Sequence, residues 1–441
     1  MFYIVEKESK LENLEKLVKL GCYVDVISSD YNFHPKLTST VAVYLRLLNS
    51  QHGYIIPIEH SEGLNIDKTR VSTLLNKASK LYTLNKKELL YHFNVPSAID
   101  LSLVHSMTNY SRLEYSKFTR SITPFYNRFR EHNNINQLIP ISKLYESCEE
   151  LYNKVKELID IEIPDGFDFY NNTATSVFYL LEQQGLGIHR DDFISNFKPR
   201  EPRYNIEKNT VYTSYNLYNA TSRPTNAYNS INFAAIPHTE DYRKTFTPQN
   251  DYFVEFDFDG YHLRLLCNQI DYYLSDESAH KQLAKHYFGT DDITEEQYKE
   301  AKQINFHAIY GKIPEKHKNL KIFKEIQEYI DAMWDSFKKT GCVWNPQSGK
   351  AFSNKLKDMH PAKLMNYMMQ SLETSNNILI LKEVLRYLQD KKTKVVLYTY
   401  DALLFDFSKE DGKEVLFGIQ NILEKDNSYP VKFKFSKDLV L

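Results

Sequence analysis

The chain has 441 residues, 42% of them hydrophobic and 25% charged, with a formal net charge of -2. That balance excludes a disordered chain, and no apolar run approaches the roughly 18 residues that a bilayer span needs. With 55 basic against 57 acidic side chains there is no global basic field, so a polyanionic partner has to bind in a local groove. The opening MFYIVEKESK carries charge from Glu6 onward and has no apolar signal core, so a cytoplasmic protein is expected. Cys22, Cys148, Cys267 and Cys342 form no CxxC pair, which argues against a zinc ribbon and for free thiols. Glycine is scarce at 13 while Tyr stands at 33 and Phe at 26, a bias read as genome composition first.

In chain order, the first hundred residues predict an α/β segment. Short apolar runs from Phe2, Cys22, Val41, Gly53 and Lys80 alternate with polar helical stretches. From Ile141 the pattern changes. Ile141, Leu144, Tyr145, Cys148, Leu151, Tyr152, Val155, Leu158 and Ile159 recur at steps of three and four, as one face of an amphipathic helix requires. A second helix is predicted from Thr175, stopped at Gly-Leu-Gly. Residues 198–208, with two prolines, read as a linker, and strand and loop text follows from Val211 to Asp259. Helices are then predicted to about Leu388, followed by a hairpin around Asp401 and a last helix and strand.

Three segments carry chemistry. In the strand YFVEFDFD, residues 252–259, alternate side chains share a face, so Glu255, Asp257 and Asp259 project together. Three such carboxylates repel one another unless solvent or cations intervene, and the bland alternative is a solvated edge strand. In KVVLYTYDALLFDF, residues 394–407, two apolar runs flank Asp401 at a turn, where a merely turn-forming Asp is the alternative. Between them, Lys302, Phe306 and Tyr310 are spaced by four, each displaced about 40° around a helix from the last. One cation and two aromatic rings on one face suit a ligand with both phosphate and a flat base; a core stripe capped by a snorkelling lysine is the alternative.

Taken together and in order, these segments resemble motifs A, B and C of the DNA polymerase I-like (family A) polymerases. The family's DYSQIELR stands here as Asp257-Phe258-Asp259-Gly260-Tyr261-His262-Leu263-Arg264. Of its RxxxKxxNFGxxYG helix, Lys302, Asn305, Phe306, Tyr310 and Gly311 match, and its VHDE is Thr399-Tyr400-Asp401-Ala402. TSRPTNAYNSINFAAIP (221–237) is similar to the TGRL…LQNIP stretch, NYMMQ (366–370) to NMPVQ, and SAHKQLAKHYFG (278–289) to DIHTETASWMFG. The resemblance covers residues 150–441.

The resemblance implies an α+β right-hand polymerase of palm, fingers and thumb, preceded by an α/β exonuclease-like domain. The expected division is 1–115 degenerate exonuclease-like, 116–210 reduced thumb, 211–266 palm, 267–345 fingers and 346–441 palm. Asp257, Asp401 and Lys302 are then expected to be catalytic. Asp257, the Phe258 carbonyl and Asp401 would hold two Mg2+ ions, with Mn2+ able to substitute. His262, His280, Lys299, Lys302, Phe306 and Tyr310 are expected around the nucleotide, Lys302 and His280 on its phosphates. Arg223, Asn366 and Gln370 are expected on the DNA, with Arg223 and Gln370 reading minor-groove acceptors. In the residues themselves, Asn366, Gln370 and Asn377 form a polar stripe on an apolar helix, for which a buried amide pair is the alternative reading. Primer-template DNA and dNTPs are the implied partners, with a processivity factor or a separate exonuclease subunit beside them and no membrane.

The departures from the family pattern are informative. The glutamate that walls off the ribose 2′ side is His262 here, which can fill that volume and hydrogen-bond Tyr310. Tyr298 replaces the helix arginine, with Lys299 next to it as substitute. Ala402 replaces the second motif C acid, with Asp259 as a compensating or a merely solvated carboxylate. Phe306 implies resistance to dideoxynucleotides, and the short stretch between 173 and 211 implies a small thumb and low processivity. The N-terminal strand Val24-Asp25-Val26-Ile27 has no second carboxylate, and Asp100 is a relic at most, so no proofreading is expected. A bacteriophage replication enzyme is the leading reading. A palm polymerase accepting ribonucleotides and a catalytically silent replisome subunit are the alternatives.

Overall fold

The structure is a computed structural model and describes residues 2–197, 206–226, 231–237, 239–310, 313–424 and 429–439. The chain divides into two units, one from Met1–Gln183, Pro199–Ser214 and Ala227–Ile231, the other from Gln184–Lys198, Tyr215–Asn226 and Asn232–Leu441. Most of the expected linker, and Gly311 of the expected finger motif, lie outside the described residues.

The first unit is built on a six-stranded mixed sheet of β1 (Phe2–Ile4), β2 (Cys22–Ser28), β3 (Thr40–Leu47), β4 (Gly53–Pro57), β5 (Leu81–Thr83) and β6 (Ile99–Asp100), in the order β1-β4-β3-β2-β5-β6. The five apolar runs singled out in the sequence are β1 to β5. The side chains of β2, β3 and β5, and most of β4, are buried on both faces, which is why these runs read as continuous rather than alternating, while Phe2 and Tyr3 of the edge strand β1 are exposed. Two helices, α1 (Glu8–Leu17) and α2 (Lys68–Asn76), place Leu11, Leu14, Val71, Leu74 and Leu75 in one core with Val24, Val26 and Val43.

The other face is covered by α3 (Ile141–Val155), the amphipathic helix of the sequence. Its stripe packs on Tyr23, Ile27 and Tyr44 of the sheet. The expected border at 115 therefore does not end the first unit, which runs on through α3 to Gln183, because the sheet needs that stripe to bury its second face. The next helix, α4 (Thr175–Glu182), stops where expected, with Gly185 at φ +67°. The Gly-Leu-Gly is more than a stop, however, since Leu186–Ile188 is a strand paired with Phe246–Thr247. A Cβ on Gly187 would lie 2.4 Å from the Thr247 carbonyl oxygen, so that strand pair needs the glycine.

The acids expected of a nuclease are otherwise engaged. Lys117 pairs with Asp25 on β2 and lies 3.6 Å from Glu88. Burial opposes the Lys117 charge, but Asp25 and Glu88 outweigh it and hold the ammonium well above its ordinary pKa. Asp100 caps the helix Leu101–Asn109, accepting from the Leu103 N–H at 2.9 Å, and takes the Lys86 N–H at 2.9 Å. It is a structural cap rather than a leftover site acid.

The second unit holds a four-stranded antiparallel sheet. Its strands are β7 (Tyr252–Phe258), β8 (Lys394–Tyr398), β9 (Ala402–Phe407) and β10 (Val431–Ser436), in the order β8-β9-β7-β10. The carboxylate-bearing strand β7 is thus paired on both sides, and the edge-strand alternative is overturned. Around the sheet run α5 (Tyr261–Gln269), α6 (Ala279–Phe288), α7 (Glu295–Ile309), α8 (Lys321–Thr340), α9 (Pro361–Tyr387) and α10 (Glu414–Glu424). Thr294 opens α7 with a capping box to Gln297, which sets where the lysine-bearing helix begins. No described helix is long and apolar enough to cross a membrane.

Replacing Lys117 by Met removes the cation between two buried acids. We expect it to cost about 3–5 kcal/mol of stability, read as a lower denaturation midpoint of the first unit in urea. An unchanged midpoint would show that Asp25 and Glu88 do not depend on Lys117.

Candidate active site

Sheet register brings the two acids together. Asp257, the next-to-last residue of β7, stands opposite Ala402 of β9, and Asp401 immediately precedes Ala402 in the turn from β8. The Phe258 N–H donates to the Asp401 carbonyl at 3.0 Å, closing that end of the strand pair. The turn itself is strained: Tyr400 has φ +67°, a conformation costly for an aromatic residue unless its neighbours fix it. They do. Asn377 of α9 donates its amide to the Tyr400 carbonyl at 2.6 Å and accepts from the Tyr261 hydroxyl at 2.7 Å. Asn376 donates to the same hydroxyl at 2.8 Å. Asn377 is therefore a buried structural amide, and the polar stripe on α9 is only partly turned to a ligand.

Asp257, Asp401 and the first turn of α5 open on a cavity of about 470 Å³, whose walls also include His280 of α6, Lys302 and Phe306 of α7, and Tyr310. Gly260, at φ +58°, begins α5; a Cβ there would come within 3.0 Å of Ala279 Cβ, so α6 can lie this close only against glycine. The electrostatics are those of an incomplete cation site. Burial raises the Asp257 carboxyl above its ordinary value, and Asp401 raises it further. Lost hydration likewise raises Asp401, with Glu373 adding to it. Two hard oxygen donors disfavoured as anions are what a divalent cation relieves, so the donor set fits a cation of that kind. Among the described residues no cluster of three or more His, Cys, Asp or Glu side chains forms a fuller ligand set.

Behind the His280 wall of the cavity, the Asn305 amide pairs with His280 Nδ1 at 2.9 Å. Burial holds the His280 pKa down to about 4, so the imidazole is neutral at pH 7. With Nδ1 accepting from the amide, Nε2–H is left to donate toward the cavity. Phe306 is 58% exposed on the cavity wall and makes a T-shaped pair with Tyr310 at 5.0 Å. His262 Nδ1 and the Tyr310 hydroxyl are 3.1 Å apart.

Residues 195–340 match the family model described as DNA polymerase family A. A solved structure, the POL domain of Pol1 from M. smegmatis in complex with DNA primer-template and dNTP, is similar in fold with a TM-score of 0.69. That likeness covers 99% of this chain and 99% of the other at 12% identity. No curated protein matches the sequence. The chain is a DNA-directed DNA polymerase. Its fold class is the right-hand polymerase, mixed helix and sheet, expected from the motifs.

Within this polymerase the structure gathers Arg223, Asp257, Phe258, His262, His280, Lys302, Phe306, Tyr310 and Asp401 around one cavity. It does not bring Lys299 there. Lys299 is exposed, and Tyr298, one residue earlier, lines the wall, because a step of one turns a helical side chain by about 100°. Asn366 and Gln370 also stand off the cavity wall. Gln370 donates to Asn366 at 3.0 Å and accepts from the Thr221 hydroxyl at 3.2 Å. Asp259 is not solvated: it accepts from the Ala279 N–H at 2.8 Å and from Lys432 Nζ at 2.8 Å, and these partners hold its carboxyl below the ordinary value against burial.

The sequence reading missed Lys432 and Glu373, both on the cavity wall. Lys432 lies on β10 opposite Asp257 and carried no motif, so only the sheet register reveals it. Glu373 did carry a signal. It falls between Gln370 and Asn377 at steps of three and four, on the face of α9 already singled out.

Glu255 gives a pH test of the sheet. It is 5% exposed, its Oε2 makes no hydrogen bond, and burial, with a contribution from Asp257, raises its pKa to about 7 despite Lys434. A carboxyl raised in the folded state favours folding at low pH and loses that contribution as pH rises from its ordinary value toward 7. We therefore expect Glu255→Gln to stabilise the protein above pH 7, by on the order of 2–3 kcal/mol, and to give no gain below pH 4.5. Thermal melts of both proteins across that range check it; a pH-independent difference would sink the assignment.

Proposed function

We propose that the polymerase extends a primer 3′-hydroxyl on a DNA template with deoxynucleoside triphosphates, within genome replication and without proofreading. The observation that carries this reading is the convergence of Asp257 and Asp401 at one end of a cavity whose other walls offer Lys302, His280, Phe306 and Tyr310.

In this reading Asp257, Asp401 and the Phe258 carbonyl hold Mg2+, with Mn2+ able to substitute. The ions supply charge neutralisation and alignment of the 3′-oxygen with the α-phosphorus. Lys302 contacts the triphosphate and stabilises the departing pyrophosphate. His280 donates from Nε2 to a phosphate oxygen while its neutral ring spares the cavity a second fixed cation. The exposed ring of Phe306 packs on the incoming base or sugar, and Phe rather than Tyr there favours resistance to dideoxynucleotides. His262 and Tyr310 bound the sugar on its 2′ side. Arg223, stacked 3.7 Å above the Tyr400 ring centroid, faces the minor groove of the nascent pair, and Asn366 and Gln370 support the strand beyond it.

The absence of proofreading is supported by the first unit, where Lys117 occupies the space between Asp25 and Glu88 and Asp100 is spent as a helix cap. An internal ammonium between two acids does electrostatically what a nuclease metal would do, and it leaves those acids no vacant donor role. A reduced thumb and low processivity accompany this reading, with a processivity factor or separate exonuclease subunit as partners. Bacteriophage origin is supported by the composition bias and the spent nuclease acids. The ribonucleotide-accepting alternative rests on His262 alone.

Single-nucleotide extension of a labelled primer-template tests the proposal. Deoxynucleotide incorporation is expected to exceed that of the matching ribonucleotide, and equal use of both would move the enzyme to the ribonucleotide class. Asp257→Ala and Asp401→Ala are each expected to lower extension more than about a hundredfold with primer-template affinity nearly unchanged. Near-normal extension by either variant would overturn the placement of the metal site.

A further inference from the structure

The wall of the cavity contains a carboxylate to which neither the motifs nor the metal site assign a role. Glu373, on α9, is 1% exposed. Its Oε1 accepts from Arg223 Nη2 at 3.2 Å and lies 2.9 Å from His262 Nε2, while its Oε2 lies 2.7 Å from Arg223 Nε. One of these contacts, Arg223 Nη2 to Oε1, is a hydrogen bond; the other two are ion-pair distances, so the carboxylate is held between partners from two different segments. His262 passes the constraint on, since its Nδ1 is 3.1 Å from the Tyr310 hydroxyl. A carboxylate facing Nε2 selects the tautomer with its proton there, so Nδ1 is the acceptor and the Tyr310 hydroxyl donates.

A chain therefore runs from the Tyr400 ring through Arg223, Glu373 and His262 to Tyr310. We propose that Glu373 is a positioning residue that ties the residue facing the nascent base pair, Arg223, to the pair bounding the sugar, His262 and Tyr310, so that one buried charge sets both. This rests on the polymerase reading above. The burial explains the strength of the tie: a carboxylate removed from water must keep its partners, and Arg223 and His262 are the ones within reach. An asset of the arrangement is that the wall next to the sugar is made by a histidine, whose ring orientation would be loose without a carboxylate behind it.

Glu373→Gln tests it. The amide fills the same volume, but it places an NH2 where one of two oxygens now faces an N–H, so no orientation serves all three contacts. The measurement is the ratio of kcat/KM for a dNTP over its matching rNTP, with the unfolding midpoint recorded alongside. Glu373→Gln is expected to lower that ratio about tenfold, the scale of a lost hydrogen bond to a charged group, at a near-native midpoint. Arg223→Ala, which touches neither His262 nor Tyr310, is expected to lower it in the same direction, and to add little further in the Glu373→Gln background. If Glu373→Gln does not fold, the Arg223→Ala ratio decides alone. Unchanged ratios in an active enzyme would overturn the role of Glu373 and leave the polymerase reading standing. A wild-type protein that incorporates neither nucleotide would overturn both.

Discussion

Two like charges held a strand apart are the constraint on which the second unit depends. Burial opposes both charges, Asp401 raises the cost of ionising Asp257 further and Glu373 that of ionising Asp401, and a relaxed sheet would separate Asp257 from Asp401. The register of β7 against β9 forbids that, because Asp257 is fixed opposite Ala402. The strained Tyr400 turn is in turn held by Asn377, and Asn377 by Tyr261 at the head of α5. Strand, turn and two helices are locked to one another around a site that is electrostatically unfavourable when empty, which is a common stability cost of function.

The rest of the cavity answers that charge in stages. Asp259, a third acid just past the end of β7, is withdrawn by Lys432 and the Ala279 N–H. Glu373, a fourth, is withdrawn by Arg223 and His262. What remains open is a pair of acids, with Lys302 and a neutral His280 lining the same cavity. In the first unit the same physics has the opposite result: Lys117 quenches Asp25 and Glu88. One chain thus leaves one acid pair facing a cavity and closes another with a lysine of its own.

Much of this was legible in the residues. The runs of β1 to β5 and the stripe of α3 are apolar enough to declare themselves, and the spacing of Lys302, Phe306 and Tyr310 by itself puts them on one helical face. Lys299 was misplaced because adjacency in sequence is not adjacency on a helix. The first unit runs past residue 115 because α3 covers its sheet, and an amphipathic stripe says that a helix buries a face without saying against which sheet. Whether Asp259 is a compensating or a solvated carboxylate is not legible in the sequence because its two partners come from α6 and from β10, one of them more than 170 residues away.

The sequence by itself determined where the candidate residues lie along the chain: which strand bears the acids and which helix bears the cation and rings. Local patterns suffice for that, since side-chain direction follows from the period of a strand or helix. Only the tertiary structure decided which acids stay free. Pairing Asp259 with Lys432, Glu373 with Arg223 and His262, and Lys117 with Asp25 requires segments far apart in the chain to meet, and burial then makes each pairing obligatory.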